Sequence, residues 1–365
     1  MSPSPTRAVP MVLVALVLLA GLWGGLARLG WSVPVGDGAV VGYHGVLMVL
    51  GALGSLIALE RAVATGRPWG YVAPFASAGG AAALLAGLPV RVAQALFLLS
   101  GLVLLAVLVR IVAMQPVLHA WVLALAGALW VGAVAVWALE GSVATAVPWL
   151  AGFLVVTIAA ERLELARMRR LDALGRATFL VTLGALVGGL VLSLASFAGG
   201  VRLVGIALAW LGAWLATFDV ARRTVRRHGL TRFMAAALLA GYAWLAVAGV
   251  LWIRYADVPG GGGRDAMLHA LFLGFVISMV FAHAPVILPA VLGIDVAWRP
   301  AFYVHLVALH ASLALRVIAD LAVWPDVVRW MGLVNVLAVL LFLTNTAAAR
   351  SRSRWSSRTV VKVGV

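Results

Sequence analysis

The chain has 365 residues, 64% hydrophobic and 11% charged, with a mean hydropathy of +1.11. Soluble domains carry about 25% charged residues, so no water-soluble fold of this size hides such a composition, and the chain reads as an integral membrane protein. Cysteine is absent, which excludes disulfides, zinc–thiolate sites and cysteine-ligated iron–sulfur clusters. The formal net charge of +15 reads as loops facing anionic lipid rather than as a nucleic-acid surface.

A helix needs about 20 apolar residues to cross a bilayer. In chain order the predicted spans are 10–28, 40–59, 71–88, 92–113, 117–138, 144–160, 177–198, 202–218, 233–253, 266–289, 300–319 and 327–348. The expected fold is therefore all-α, with twelve transmembrane helices. The runs are too long and too rich in Leu and Ala for barrel strands. The first is long and lacks an A-x-A cleavage site, so it reads as a helix rather than a signal peptide. Residues 1–349 form one transmembrane domain, followed by a basic cytoplasmic tail over 350–365. No folded platform accompanies that tail, so it reads as a solvated segment touching membrane lipid and not nucleic acid.

Orientation follows from arginine. With the N-terminus inside, only Arg28, Arg91, Arg202, Arg254, Arg264, Arg316 and Arg329 fall outside, of 27 Lys and Arg. The positive-inside rule then places both termini in the cytoplasm.

An internal repeat shows at four-helix spacing. The second span ends in Glu60-Arg61 and the sixth in Glu161-Arg162, each glutamate nine residues after a glycine, Gly51 and Gly152. The tenth has the same offset from Gly274 to His283. This suggests three four-helix units around a pseudo-threefold axis. The bland alternative is that Glu-Arg merely ends a helix at the headgroups.

Ionisable side chains inside spans are costly and usually functional. There are seven histidines. His228 falls in a basic loop. His44 lies roughly 9 Å outward from the middle of the second span and His269 roughly 13 Å outward from the middle of the tenth. These similar depths suit two ligands of one metal or haem, although interhelical hydrogen bonding is the competing role. His283 and His305 fall in the inner half, where a second haem or metal site is conceivable. His269 and His283 lie on nearly one face but roughly 21 Å apart in height, so they cannot share a metal. His310 and His119 read as interhelical hydrogen-bonders. Asp265, at i−4 from His269, either orients its imidazole or is a helix N-terminal charge facing water. The deeper tryptophans read as ordinary packing.

No Walker A, G-x-S-x-G or H-E-x-x-H sequence is present. No Asp or Glu falls within the predicted spans, where a proton-driven transporter usually carries one.

Tyr43-His44-Gly45-Val46-Leu47-Met48, the Ile158–Arg162 helix end followed by Leu163-Glu164-Leu165, and Leu268-His269-Ala270-Leu271 resemble the NnrS family of twelve-span haem membrane proteins tied to nitric-oxide stress. That family is in turn similar in layout to haem–copper oxidase catalytic subunits. The resemblance implies haem b between the second and tenth helices, with His44 and His269 as iron ligands. It also implies a small gas such as nitric oxide as ligand, and a place in the bacterial inner membrane. The sixth span has no histidine and the seventh no histidine pair, so the copper triad and proton-pumping oxygen reduction are not expected. His283 with the following Ala284-Pro285 also departs from the NnrS pattern. Whether the protein turns over a substrate, and what donates electrons to it, stay open. The alternatives are a transporter or channel with a histidine-lined polar path, and a structural protein without cofactor.

Overall fold

In lipid, backbone polar groups must be satisfied within the chain, and long apolar runs do this as helices. In the computed structural model, which describes residues 5–36, 38–166 and 171–351, every predicted span falls on a helix. They are α1 (Pro5–Arg28), α2 (His44–Thr65, preceded by one turn at Ala39–Gly42), α3 (Val72–Leu85), α4 (Val90–Met114), α5 (Leu118–Glu140) and α6 (Val143–Ala166). There follow α7 (Ala173–Ala195), α8 (Phe197–Phe218), α9 (Gly229–Arg254), α10 (Gly262–Leu292), α11 (Phe302–Ala322) and α12 (Pro325–Ala348). The chain is an all-α integral membrane protein. Eleven of the described helices are long and apolar enough to cross a bilayer. The exception is α3, which has 14 residues where the sequence predicted a span over 71–88. Pro68 begins a single 3₁₀ turn there instead of the helix proper.

Sequence neighbours pack side by side, and α12 also touches α1. Within this arrangement α2, α6 and α10 each contact the other two. Burial agrees: 72% of the central window of α6 is buried inside the protein, against 28% for α12. The α8–α9 contact is backbone-close. A Cβ on Gly249 would stand 2.3 Å from the Ala209 nitrogen, so only glycine permits it.

Two departures from regular winding set the central helices apart. In α2, residues Leu47–Gly54 wind as a π-helix; in α10, Ala270–Ile277 do the same. Each stretch lies within three residues of a histidine, His44 or His269. Such segments are rare and concentrate at functional sites.

Beyond α10, β1 (Asp295–Val296) pairs antiparallel with β2 (Arg350–Ser351), so the folded chain runs two residues past the expected domain end. The rest of the expected tail, with Arg352, Arg354, Arg358 and Lys362, lies outside the described residues, as do Arg167, Arg169 and Arg170. Observed helix ends also change one expectation. Asp265 and Asp320, placed just beyond spans by sequence, stand inside α10 and α11.

Candidate functional site

His44 opens α2 because the backbone breaks before it. Tyr43 leaves helical geometry at φ −104°, ψ 15°, and the imidazole of the next residue turns toward α1. Its Nδ1 lies 2.6 Å from the Gly21 carbonyl. A carbonyl can only accept, so Nδ1 carries the proton and Nε2 keeps its lone pair. Gly25 makes room for the ring: a Cβ there would sit 3.0 Å from His44 Cε1.

His269 is fixed in the same sense. Its Nδ1 lies 2.9 Å from the Asp265 carbonyl and 3.2 Å from Asp265 Oδ2, one turn earlier on α10. The two sequence readings of Asp265 coexist in the geometry: it stands in the first turn of α10, and its carbonyl and carboxylate both reach the imidazole. Asp265 also accepts from Arg316 Nη2 at 2.7 Å. That same Nη2 is 3.4 Å from His269 Nδ1 and 3.3 Å from Nε2. Near-equal distances put the guanidinium over the ring face, since an in-plane approach would collide with Cε1. The Nε2 lone pair, which lies in the ring plane, points elsewhere.

Both histidines line one cavity of about 410 Å³, within the range of small-molecule and cofactor sites. Its polar lining is Arg28, His44, Asp265, His269, Arg316, Asp320 and Asn335; Leu22, Leu53, Phe272, Ile277 and Val339 are among its apolar walls. Gly45 faces open space in it, where a Cβ would meet no atom within 4 Å. Arg316 is braced at 3.5 Å from Asn335 Oδ1 and 3.9 Å from Asp320 Oδ2, and Asn335 donates to Ser312 Oγ at 2.7 Å. The cavity thus combines two imidazoles, two guanidiniums and two carboxylates in an apolar shell.

Sequence reasoning found the histidines and Asp265. It missed Arg28, Arg316, Asp320 and Asn335 as members of the site. Arg316 stood in view as a cation three residues inside the end of the predicted span 300–319.

At the opposite end of α2, α6 and α10 a second polar cluster forms. Arg61 pairs with Glu161 across the helices and stands 3.5 Å from Glu60. Arg162 makes a buried fork to Asp219, Nε to Oδ2 at 2.7 Å and Nη2 to Oδ1 at 3.1 Å, and its Nη1 lies 3.3 Å from His283 Nε2. The three residues nine after a glycine, Glu60, Glu161 and His283, all line a second cavity of about 390 Å³.

His305, paired with His283 in the expected second centre, does not line the cavity that His283 lines. It is boxed by Phe233, Phe281, Phe302 and Phe342, its Nδ1 is 3.2 Å from the Asn345 amide, and it lines neither cavity. His310 is fully engaged: Trp244 Nε1 donates to its Nδ1 at 2.9 Å and its Nε2 meets Ser278 Oγ at 3.3 Å. His119 lies 3.9 Å from Glu164. Among the described residues no three His, Cys, Asp or Glu gather as a metal-binding group. A haem, held by one or two imidazoles, needs no such group.

Fold and site together define a polytopic all-α membrane protein with a histidine-lined interior cavity between α2 and α10. A family model described as Domain of unknown function (DUF8744) matches residues 7–351, and the chain belongs to that family. No curated protein and no solved structure matches it.

Proposed function

We propose that this chain is a membrane haem protein, as its resemblance to the NnrS family suggests, with haem b in the cavity between α2 and α10. The observation that carries this reading is the pair His44 and His269. They line one cavity, and each has Nδ1 held by a backbone carbonyl, which leaves Nε2 as the free donor. That is how proteins prepare imidazole for a metal. The cavity fits the group in other respects: its walls are largely apolar, Gly45 leaves space, and Arg28, which has no carboxylate partner among the described residues, can meet a carboxylate.

Haem iron, when bound, would supply one-electron redox chemistry, and a site for a diatomic gas where one of the two imidazoles gives way to it. The residues of the chain do the rest. Gly21 and Asp265 hold the imidazole tautomers, Arg316 fixes the Asp265 carboxylate, and the apolar shell excludes water. The ligand best suited to such a site is nitric oxide or another small gas, in sensing, sequestration or detoxification. In this reading α3 is the twelfth span and the three units α2–α5, α6–α9 and α10–α1 surround a pseudo-threefold axis. Both termini face the cytoplasm, and the membrane is the bacterial inner membrane. The mutual contacts of α2, α6 and α10 and their matched Gly–Glu, Gly–Glu and Gly–His spacing support this layout.

One observation favours a second reading, a transport path without haem. The two cavities share Leu53, Ile277 and Val339 as lining, so they follow one another along the bundle with a single layer of side chains between them. The two readings separate on purified protein from haem-replete cells. The haem reading expects a Soret band that shifts when nitric oxide is added to the reduced form. A preparation with no Soret band, together with flux that depends on His283, establishes the transport path instead.

A further inference from the structure

The second cavity has a polarity of its own. Its body is apolar, walled by Met11, Leu18, Leu56, Leu288 and Phe342 among others, while its polar groups cluster where α2, α6 and α10 meet. Those groups are Glu60, Thr157, Glu161 and His283; Thr346 on α12 also lines the cavity.

Their hydrogen-bond accounting is one-sided. The Thr157 hydroxyl donates to the Phe153 carbonyl at 2.7 Å, so its oxygen is left to accept. His283 Nδ1 is 2.7 Å from the Met279 carbonyl, which fixes the proton there and leaves Nε2 an acceptor, already approached by Arg162 at 3.3 Å. Glu60 and Glu161 are acceptors and share one cation, Arg61, which pairs closely with Glu161 and stands 3.5 Å from Glu60. Glu60 therefore has most of its acceptor capacity uncommitted, and when both are ionised the two carboxylates exceed their shared cation by one negative charge. Only the Thr346 hydroxyl can serve in either sense. A molecule seated here must bring donors, and an anionic head would meet like charge in a low-dielectric setting.

We propose that this cavity binds a membrane-soluble amphiphile with an apolar body and a hydrogen-bond-donating head, a hydroquinone or an alkylammonium, held by Glu60 with Thr157 and Glu161 beside it. The site stands independently of haem in the first cavity. Acceptor-only heads such as quinones, and phosphate heads, find only the Thr346 hydroxyl as a donor in the lining, since Arg61 does not line the cavity, and are discriminated against.

The test uses the full-length chain in detergent micelles under anaerobic conditions. Four decyl-tailed probes share one apolar body and differ in head: a benzohydroquinone, the matching benzoquinone, an ammonium and a phosphate. Binding is measured by equilibrium dialysis. A charge-assisted hydrogen bond to Glu60 predicts that a donor head binds about tenfold or more tighter than the quinone or the phosphate. Preference for the hydroquinone over the ammonium assigns the site to a quinol, and the reverse assigns it to a lipid amine. Glu60→Gln removes the excess charge and predicts a roughly tenfold loss for the donor heads with no loss for the quinone, to which the new amide can donate. Should that variant fail to fold, Ala15→Phe, which fills the cavity from α1 and touches neither partner of an ion pair, predicts loss of donor-head binding in a folded protein. Equal affinity for all four heads, as expected of tails dissolving in any apolar gap, overturns the proposal. So does a donor preference that survives Glu60→Gln or cavity filling.

Discussion

Asp219→Ala tests whether the Glu60 end of the bundle is held by its buried charges. Arg162 and Asp219 are 3% and 1% exposed, and the fork between them is the only ion pair of Arg162 among the described residues. Asp219 Oδ1 also accepts from the Ala221 backbone nitrogen at 2.7 Å, which starts the single turn Ala221–Thr224. Removing the carboxylate leaves a guanidinium desolvated beside His283 with no counter-charge. Breaking one side of a buried pair costs about 3–5 kcal/mol, and losing the cap adds about 1 kcal/mol. The double variant Arg162→Met with Asp219→Leu removes both charges at similar volume and costs less than the single change, about 1–2 kcal/mol including the lost cap. Equilibrium unfolding in mixed micelles, followed by tryptophan fluorescence, gives both values. A loss below about 1 kcal/mol for Asp219→Ala, or a double variant worse than the single one, refutes the reasoning.

Three further outcomes follow from named contacts. Gly25→Ala puts a methyl 3.0 Å from His44 Cε1 while Gly79→Ala makes only an ordinary contact at 3.7 Å, so haem retention on gel filtration falls for the first and holds for the second. Gly274→Ala drives a Cβ to 2.5 Å from Trp244 Cγ; the indole, tied to His310, has no room to retreat, and stability drops by about 1–3 kcal/mol in the same unfolding assay. Arg316→Lys keeps the charge but loses the planar fork that reaches Asp265 and Asn335, so it lowers stability less than Arg316→Leu, which strands Asp265 and Asp320; the two melting curves decide.

Much of this was legible before any coordinates, for physical reasons. Apolar runs of membrane length have one stable outcome in lipid, so the helices could be read directly. Histidine stands out in such a background, and similar depth paired His44 with His269. The nine-residue offset singled out Glu60, Glu161 and His283, which line one cavity. Other features left no periodic trace. Arg316, Asp320 and Asn335 are single polar residues whose facing depends on how α11 and α12 rotate against α10. The π-helical stretches sit in apolar runs indistinguishable from regular helix. His305 looked like a companion of His283 by depth alone, yet its side chain faces a phenylalanine box while His283 faces Arg162. Depth is readable from sequence; azimuth is not.

The central claim is that His44 and His269 hold one haem. Its most direct test is the visible spectrum of wild type, His44→Ala, His269→Ala and His310→Ala, each purified from haem-replete cells at equal protein concentration. The account predicts that the Soret band is lost or displaced in the first two variants. It stays unchanged in His310→Ala, whose side chain bonds Trp244 and lies outside the first cavity. A wild-type spectrum without a Soret band, or one that both His44→Ala and His269→Ala leave untouched, contradicts it.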